Sequence, residues 1–275
     1  MMCSMEPMVA VLPAAIRKQW KPEMLPSLQE IRLRRGCQTE LNYGSYQRWL
    51  SHQPTHEDLN FVINAASKYS PWAASGVRRG YLTISGGHRI GICGEVTLED
   101  QQVKGLHRLE SLCIRVARDI PGLGRSLQNL TGSTLILGAP GWGKTTLLRD
   151  LCRLISQKHK VFVADERSEL FPDGFQRGPR MDVMQNCPKA LAIPMALRTM
   201  GPEWIAVDEI TEAADTAALL EAAGCGVNLL ATAHAQSEQD MKRRKIYVPL
   251  LEMGLFENFI YLNKDQTWHL ERRAS

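Results

Sequence analysis

The chain has 275 residues, 44% hydrophobic and 23% charged, with a formal net charge of +4. That length can bury a sizeable core and divide into two domains, and the composition excludes a disordered chain. No run of about eighteen apolar residues occurs, and the opening stretch carries Glu6 where a secretory leader is basic, so a cytoplasmic protein is expected.

Seven cysteines (Cys3, Cys37, Cys93, Cys113, Cys152, Cys187, Cys225) include no CxxC pair. Neither a disulfide framework nor a zinc site is expected, and the thiols are read as reduced and mostly buried. Residues 1–130 hold 16 Lys+Arg against 11 Asp+Glu, and the remainder 17 against 18. The N-terminal excess is either a solvated surface or a face for an acidic partner, lipid or nucleic acid.

In chain order, Leu59 to Lys68 has helical spacing and Tyr81 to Ser85 alternates as a strand. Gly86-Gly87 reads as a two-residue turn, with His88 to Val96 as the returning strand. Cys113 to Ala117 adds a strand, broken by Pro121, Gly122 and Gly124. These make a small mixed α/β domain over residues 1–128.

Residues 129–275 change character. Short apolar runs at Thr134 to Leu137, Val161 to Ala164, Trp204 to Val207 and Leu229 to Thr232 alternate with helical stretches such as Thr145 to Ile155. Such runs fit a parallel sheet buried on both faces, a doubly wound α/β domain. Asn258 to Leu262 and Thr267 to Leu270 suggest a closing edge hairpin.

Gly138-Ala139-Pro140-Gly141-Trp142-Gly143-Lys144-Thr145 fits GxxxxGK[ST] between a strand and a helix, with Thr146 continuing the binding segment. Its amides are expected to cradle the phosphates of ATP, Lys144 to reach the β/γ-phosphates, and Thr145 to ligate Mg²⁺. The Trp142 ring either packs beside the nucleotide or a neighbouring subunit, or it faces solvent or packs in the core. Trp204 to Val207 ends in Asp208 and Glu209: Asp208 is expected to hold Mg²⁺ and Glu209 to activate the attacking water.

Asp165 to Glu169 (DERSE) ends another strand. A strand in this place separates a RecA-like layout from simpler kinases. Glu166 or Glu169 either assists in positioning water or belongs to an ion-pair cluster, with Arg167 pairing with one of them. Thr232 and His234 follow a third strand as candidate γ-phosphate sensors. Arg198 contacts phosphate or a neighbouring subunit, or forms a surface ion pair.

With DERSE, LRTMGPEWIAVDEI (Leu197 to Ile210) and ATAHA (Ala231 to Ala235), the chain resembles the secretion ATPases of type II secretion and type IV pili. EIRLRRG (Glu30 to Gly36), GYLTISGGHRIGICGE (Gly80 to Glu95) and CIRVARDIPG (Cys113 to Gly122) make it more similar to the stage III sporulation AA family. The resemblance implies a RecA-like P-loop ATPase domain behind a smaller N-terminal domain. It also implies a homo-hexameric motor at the cytoplasmic face of a membrane-embedded sporulation complex, in the mother cell and peripheral through partner proteins. Asp208-Glu209 then matches the Walker B pair, Asp165 to Glu169 the aspartate box and His234 the histidine box. Secretion ATPases carry Gly-Glu where this chain has Asp208-Glu209, and an Arg where Thr211 and Glu212 stand; their metal-binding cysteine module is absent.

Two other functions stay open, a RecA-like nucleic-acid translocase and an ATP-binding scaffold without hydrolysis. No interleaved aromatic and basic surface is evident, so nucleic acid is not the expected partner. Because Ile114 and Val116 alternate on the strand Cys113 to Arg118, Arg115 points away from the apolar layer. Arg115, or failing it Arg89, is expected to reach the ATP site of the same or an adjacent subunit.

Overall fold

The computed structural model describes residues 6–25, 27–68, 80–99, 102–265 and 267–273. It divides into two compact units, Met1–Arg118 with Pro172–Phe175, and Asp119–Phe171 with Gln176–Ser275.

The first unit runs α1 (Glu6–Ala10), α2 (Ala14–Gln19), β1 (Glu30–Arg34), β2 (Thr39–Asn42), β3 (Gln47–Leu50), α3 (His56–Ala66), β4 (Tyr81–Thr83), β5 (Arg89–Glu99) and β6 (Gln102–Arg115). The strands form an antiparallel sheet in the order β3-β2-β1-β6-β5-β4. Leu41, Ile31, Ile114, Ile90 and Leu82 fall in one row across it and are buried with Met8, Leu12 and Ile16, and with Leu59 and Val62 of α3. Side chains alternate along a strand, so the opposite face carries the rows Asn42, Glu30, Arg115, Arg89 and Glu40, Arg32, Cys113. Thr55 starts α3 with a capping box, accepting from the Asp58 amide while Asp58 accepts from its own.

Three expectations change here. The connection after β4 is a three-residue turn, Ser85–Gly87, in place of a two-residue one: Gly86 (φ +81°) and Gly87 (φ +75°) are left-handed, the Gly87 amide donates to Ile84 O, and buried His88 accepts from the Ala117 amide. β6 begins at Gln102 and ends at Arg115, so the strand expected over Cys113 to Ala117 is the end of a long arm with β5. Of the described thiols only Cys152 is buried; Cys37, Cys93 and Cys225 are exposed, and Cys113 and Cys187 half-buried. A turn, the outer side of a strand and a helix end set those positions, and the apolar character of sulfur does not override them. No disulfide and no metal-ligating cluster occurs among the described residues.

The second unit runs β7 (Thr134–Leu137), α4 (Lys144–Ile155), β8 (Val161–Asp165), β9 (Met181–Gln185), α5 (Lys189–Thr199), β10 (Trp204–Val207), α6 (Ala213–Gly224), β11 (Asn228–Ala233), α7 (Glu238–Lys242), α8 (Val248–Glu252), β12 (Asn258–Leu262) and β13 (Trp268–Arg272). The sheet order is β13-β12-β7-β11-β10-β8-β9, parallel throughout except for the edge strand β13. Strand residues alternate between two cores. Leu135, Phe162, Ile205 and Leu229 pack with Ile193 of α5 and Leu219 of α6, while Ile136, Val163, Ala206 and Leu230 pack with Leu147 and Leu151 of α4. Helices thus cover both faces, which is why these strands read as unbroken apolar runs.

α4 also buries charge. Arg149 donates to the carbonyls of Glu169 and Leu170, Arg153 to Gln176 O, Asp150 and Asp119, and Asp150 accepts from the amides of Gly122 and Gly124. Gly178 lies against the end of this helix, where an added Cβ would fall 1.7 Å from Ser156 Oγ. Gly178→Ala is therefore expected to lower stability by about 1–3 kcal/mol, the usual cost of overpacking. Denaturant titration measures this, and Ser156→Gly in the same chain should recover part of the loss.

Candidate active site

The strand order brings β7, β11, β10 and β8 side by side, and because they are parallel their carboxyl ends share one edge. Ligands of open parallel sheets sit at that edge. Residues 138–143 follow β7, Asp208-Glu209 follow β10, His234 follows β11, and Asp165 to Glu169 close β8.

Gly141 (φ +80°) and Gly143 (φ +97°) take left-handed backbone, which curls the loop into the start of α4. A Cβ on either would meet nothing within 4 Å, whereas on Gly138 it would press on Leu262 Cβ at 3.2 Å and the Trp142 ring at 3.5 Å. The Trp142 ring thus packs beside the core with Leu262 and Trp268. Ala139 is half-buried, Pro140 exposed and Thr146, in the first turn of α4, half-buried.

Lys144 folds back over its own loop. Its ammonium donates to Gly138 O (2.8 Å) and Ala139 O (3.0 Å) and lies 2.9 Å from His234 Nδ1. Burial pulls its pKa down, opposed by the charges of Asp208 and Glu209. An ammonium can only donate, so Nδ1 accepts and His234 Nε2–H donates to Glu209 Oε1 at 3.0 Å.

Asp208 is the hub. Oδ2 accepts from Thr145 Oγ1 (2.8 Å) and Oδ1 from Thr232 Oγ1 (2.7 Å), while burial raises its pKa against those hydrogen bonds. Thr232 Oγ1 in turn accepts from the Glu209 amide at 2.8 Å. Glu209 has φ +53°, and Ser168 and Asn186, in the loops after β8 and β9, are left-handed too, with φ +53° and +57°. Non-glycine residues held this way cost on the order of 1–3 kcal/mol each and persist where the surroundings over-determine them.

Asp165 is buried and accepts from the amides of Glu169, Leu170 and Phe171, so it shapes the loop. Glu166 pairs with Lys189 at 2.5 Å, and Lys189, itself buried, also lies 3.4 Å from Asp215. Arg167 does not pair with Glu166 or Glu169 as the sequence suggests; it reaches across to Glu209 Oε2 at 3.2 Å, because β8 and β10 are parallel neighbours whose carboxyl ends lie side by side. The Glu169 carbonyl is held by Arg149. Arg198 stands exposed in the last turn of α5, and none of the contacts above includes it. Arg115, exposed, stands opposite Arg89 in the first unit's sheet, and Arg89 lies over the Tyr81 ring at 3.8 Å. Sequence reading missed Arg149, Arg153, Lys189 and Asp215, whose signal is a buried charge visible only once burial is known.

The groups present suit Mg-nucleotide. There is open space above Gly141 and Gly143, a cation at the base of the loop, and a hydroxyl–carboxylate oxygen pair beside it. Because Thr232 serves both acids, Thr232→Val should leave the Glu209 amide unsatisfied and cost about 1–3 kcal/mol, while Thr232→Ser should keep most of the stability. Thermal unfolding of the two variants checks this.

The chain is 38% identical over 255 residues to stage III sporulation protein AA of Bacillus subtilis (strain 168), covering 86% of this chain and 83% of that one. It is 31% identical over 240 residues to protein SEEDLING PLASTID DEVELOPMENT 1 of Arabidopsis thaliana, covering 82% of this chain but 33% of that protein. Among solved structures, the pilus retraction motor PilT with bound ADP has a TM-score of 0.62 at 15% identity, covering 96% of this chain and 84% of that one. The Legionella pneumophila ATPase DotB has a TM-score of 0.58 at 19% identity, covering 95% of this chain and 81% of that one. At such identities the likeness shows the fold, a RecA-like core with a smaller N-terminal α/β domain. The family described as sporulation stage III, protein AA matches residues 4–269, and the chain belongs to it.

Proposed function

We propose that the chain is a Mg²⁺-dependent ATPase, converting ATP and water to ADP and phosphate. It would work as a homo-hexameric motor at the cytoplasmic face of a membrane-embedded sporulation complex in the mother cell. One observation carries the enzymatic reading: Lys144, Thr145, Asp208, Glu209, Thr232 and His234, from three segments of the chain, form one hydrogen-bonded chain at a single sheet edge. The family and the ATPase fold of PilT and DotB support the rest. No helix among the described residues is long and apolar enough to cross a membrane, and contact with one is proposed to run through partner proteins.

The loop amides and Lys144 would bind the phosphates, with Lys144 exchanging its loop carbonyls for phosphate oxygens. Thr145 and Asp208 would hold Mg²⁺, which neutralises phosphate charge when bound. Glu209 would take the proton of the attacking water, its backbone fixed by Thr232. Glu166, which pairs with Lys189, or Glu169 is the proposed assisting carboxylate, and exposed Arg198 the proposed subunit contact.

Lys144→Ala is expected to lose nucleotide binding in calorimetry. Glu209→Gln should bind ATP and lose turnover by roughly 10²–10⁴-fold in a phosphate-release assay. Normal turnover in Glu209→Gln would refute this assignment, and stimulation of hydrolysis by single-stranded DNA would favour a translocase instead.

In the first unit's sheet Arg115 is exposed, between Glu30 of β1 and Arg89 of β5. We propose that Arg115 serves the γ-phosphate of a neighbouring subunit in the ring. Arg115→Ala should then bind ATP but turn over slowly, and mixing it with Lys144→Ala should restore part of the activity. Full activity in Arg115→Ala, Arg89→Ala would return both to a surface role.

A further inference from the structure

Both oxygens of Glu209 are occupied. Oε1 accepts from His234 Nε2 at 3.0 Å, and Oε2 pairs with Arg167 Nη1 at 3.2 Å. A general base has to accept from the attacking water, and a carboxylate already engaged on both oxygens, one of them by a guanidinium, is poorly placed to do so. The two donors differ in kind. His234 follows the buried strand β11 and is fixed by Lys144, whereas the Arg167 side chain is 50% exposed. Arg167 sits in the surface turn between Glu166 and left-handed Ser168, and Glu209 is its one carboxylate partner among the described residues. The Glu209 backbone is itself left-handed and pinned through its amide to Thr232, so its side chain leaves the strand end in an imposed direction, toward Arg167.

We propose that Arg167 is a positioning residue that latches Glu209 in the nucleotide-free site, and that turnover requires the guanidinium to let go. The pair is part-exposed on both sides, 50% at Arg167 and 29% at Glu209, so it opens and recloses, and hydrolysis proceeds from the open fraction of the nucleotide-filled site. This restrains idle hydrolysis without blocking nucleotide entry, since Arg167 contacts neither the phosphate loop nor Asp208 among the described residues. The inference rests on the reading of Glu209 as the base.

Two measurements on the full-length protein test it. In the first, the nucleotide-free protein is labelled with a water-soluble carbodiimide and an amine, and modification of Glu209 is followed by mass spectrometry. Arg167→Ala and Arg167→Gln should each label Glu209 several-fold faster than wild type, with Arg167→Lys in between; equal rates overturn the latch. The second is steady-state hydrolysis, where Arg167→Ala should raise kcat several-fold while KM for ATP stays within about twofold, an effect absent in the Glu209→Gln background. A lower kcat in Arg167→Ala makes Arg167 a helper of hydrolysis and overturns the latch, as does an unchanged one. Hydrolysis that survives Glu209→Gln defeats the reading of Glu209 as the base, a different failure.

Discussion

Asp208 accepts from two threonine hydroxyls, one on the helix that follows the phosphate loop and one on the neighbouring strand β11, and the rest of the site hangs on that double hydrogen bond. A buried carboxylate is costly unless its oxygens are satisfied, so the two hydroxyls offset a desolvation that otherwise pushes its pKa up. Because Thr145, Asp208 and Thr232 come from different segments, satisfying one acid fixes the positions of three strand ends relative to each other. The same Thr232 oxygen holds the Glu209 amide, so the proposed metal ligand and the proposed base are set by one side chain.

A second layer of buried charge holds the loops around that centre. Arg149 and Asp150 lie on one turn of α4 and Arg153 on the next, each almost fully buried, and each is spent on the backbone or carboxylates of a loop. Pairs of this kind contribute little net stability beyond what an apolar side chain would give, but breaking one partner leaves an uncompensated charge. Their effect is to fix where the segments 119–124 and 169–178 run. The helix that begins at the phosphate loop therefore also carries the loop of Asp165 to Glu169, from which Arg167 reaches Glu209. Lys189 ties the same loop to the start of α6 through Glu166 and Asp215.

Strain is stored at the same edge. Left-handed backbone at Ser168, Asn186 and Glu209 follows three adjacent parallel strands, where carbonyl ends converge and loops turn sharply. At Glu209 the amide bond to Thr232 and the packing of Ile210, whose carbonyl accepts from Tyr247, hold the residue in that conformation. The backbone there sets only the direction in which the Glu209 side chain leaves the chain; His234 and Arg167 hold its carboxylate.

By itself the sequence determined what is local. The strand-loop-helix from Thr134 to Ile155, the apolar strands ending in Asp208-Glu209 and in Asp165, and the edge hairpin of β12 and β13 are legible because burial on both sheet faces writes continuous apolar runs, and glycines mark the phosphate turn. The N-terminal strands β1 to β3 are only four or five residues long, too short to stand out even where β1 alternates strictly over Glu30–Arg34, and the far part of β5, Glu95–Glu99, is exposed throughout and carries no buried period. Only the tertiary structure decided the pairings: His234 with both Lys144 and Glu209, Thr232 with Asp208, and Arg167 with Glu209 instead of its own neighbours in DERSE. These depend on strand order, which places β11 beside β7 and β10, and β8 beside β10. Strand order is a property of the packed whole, and spacing along the chain does not encode it.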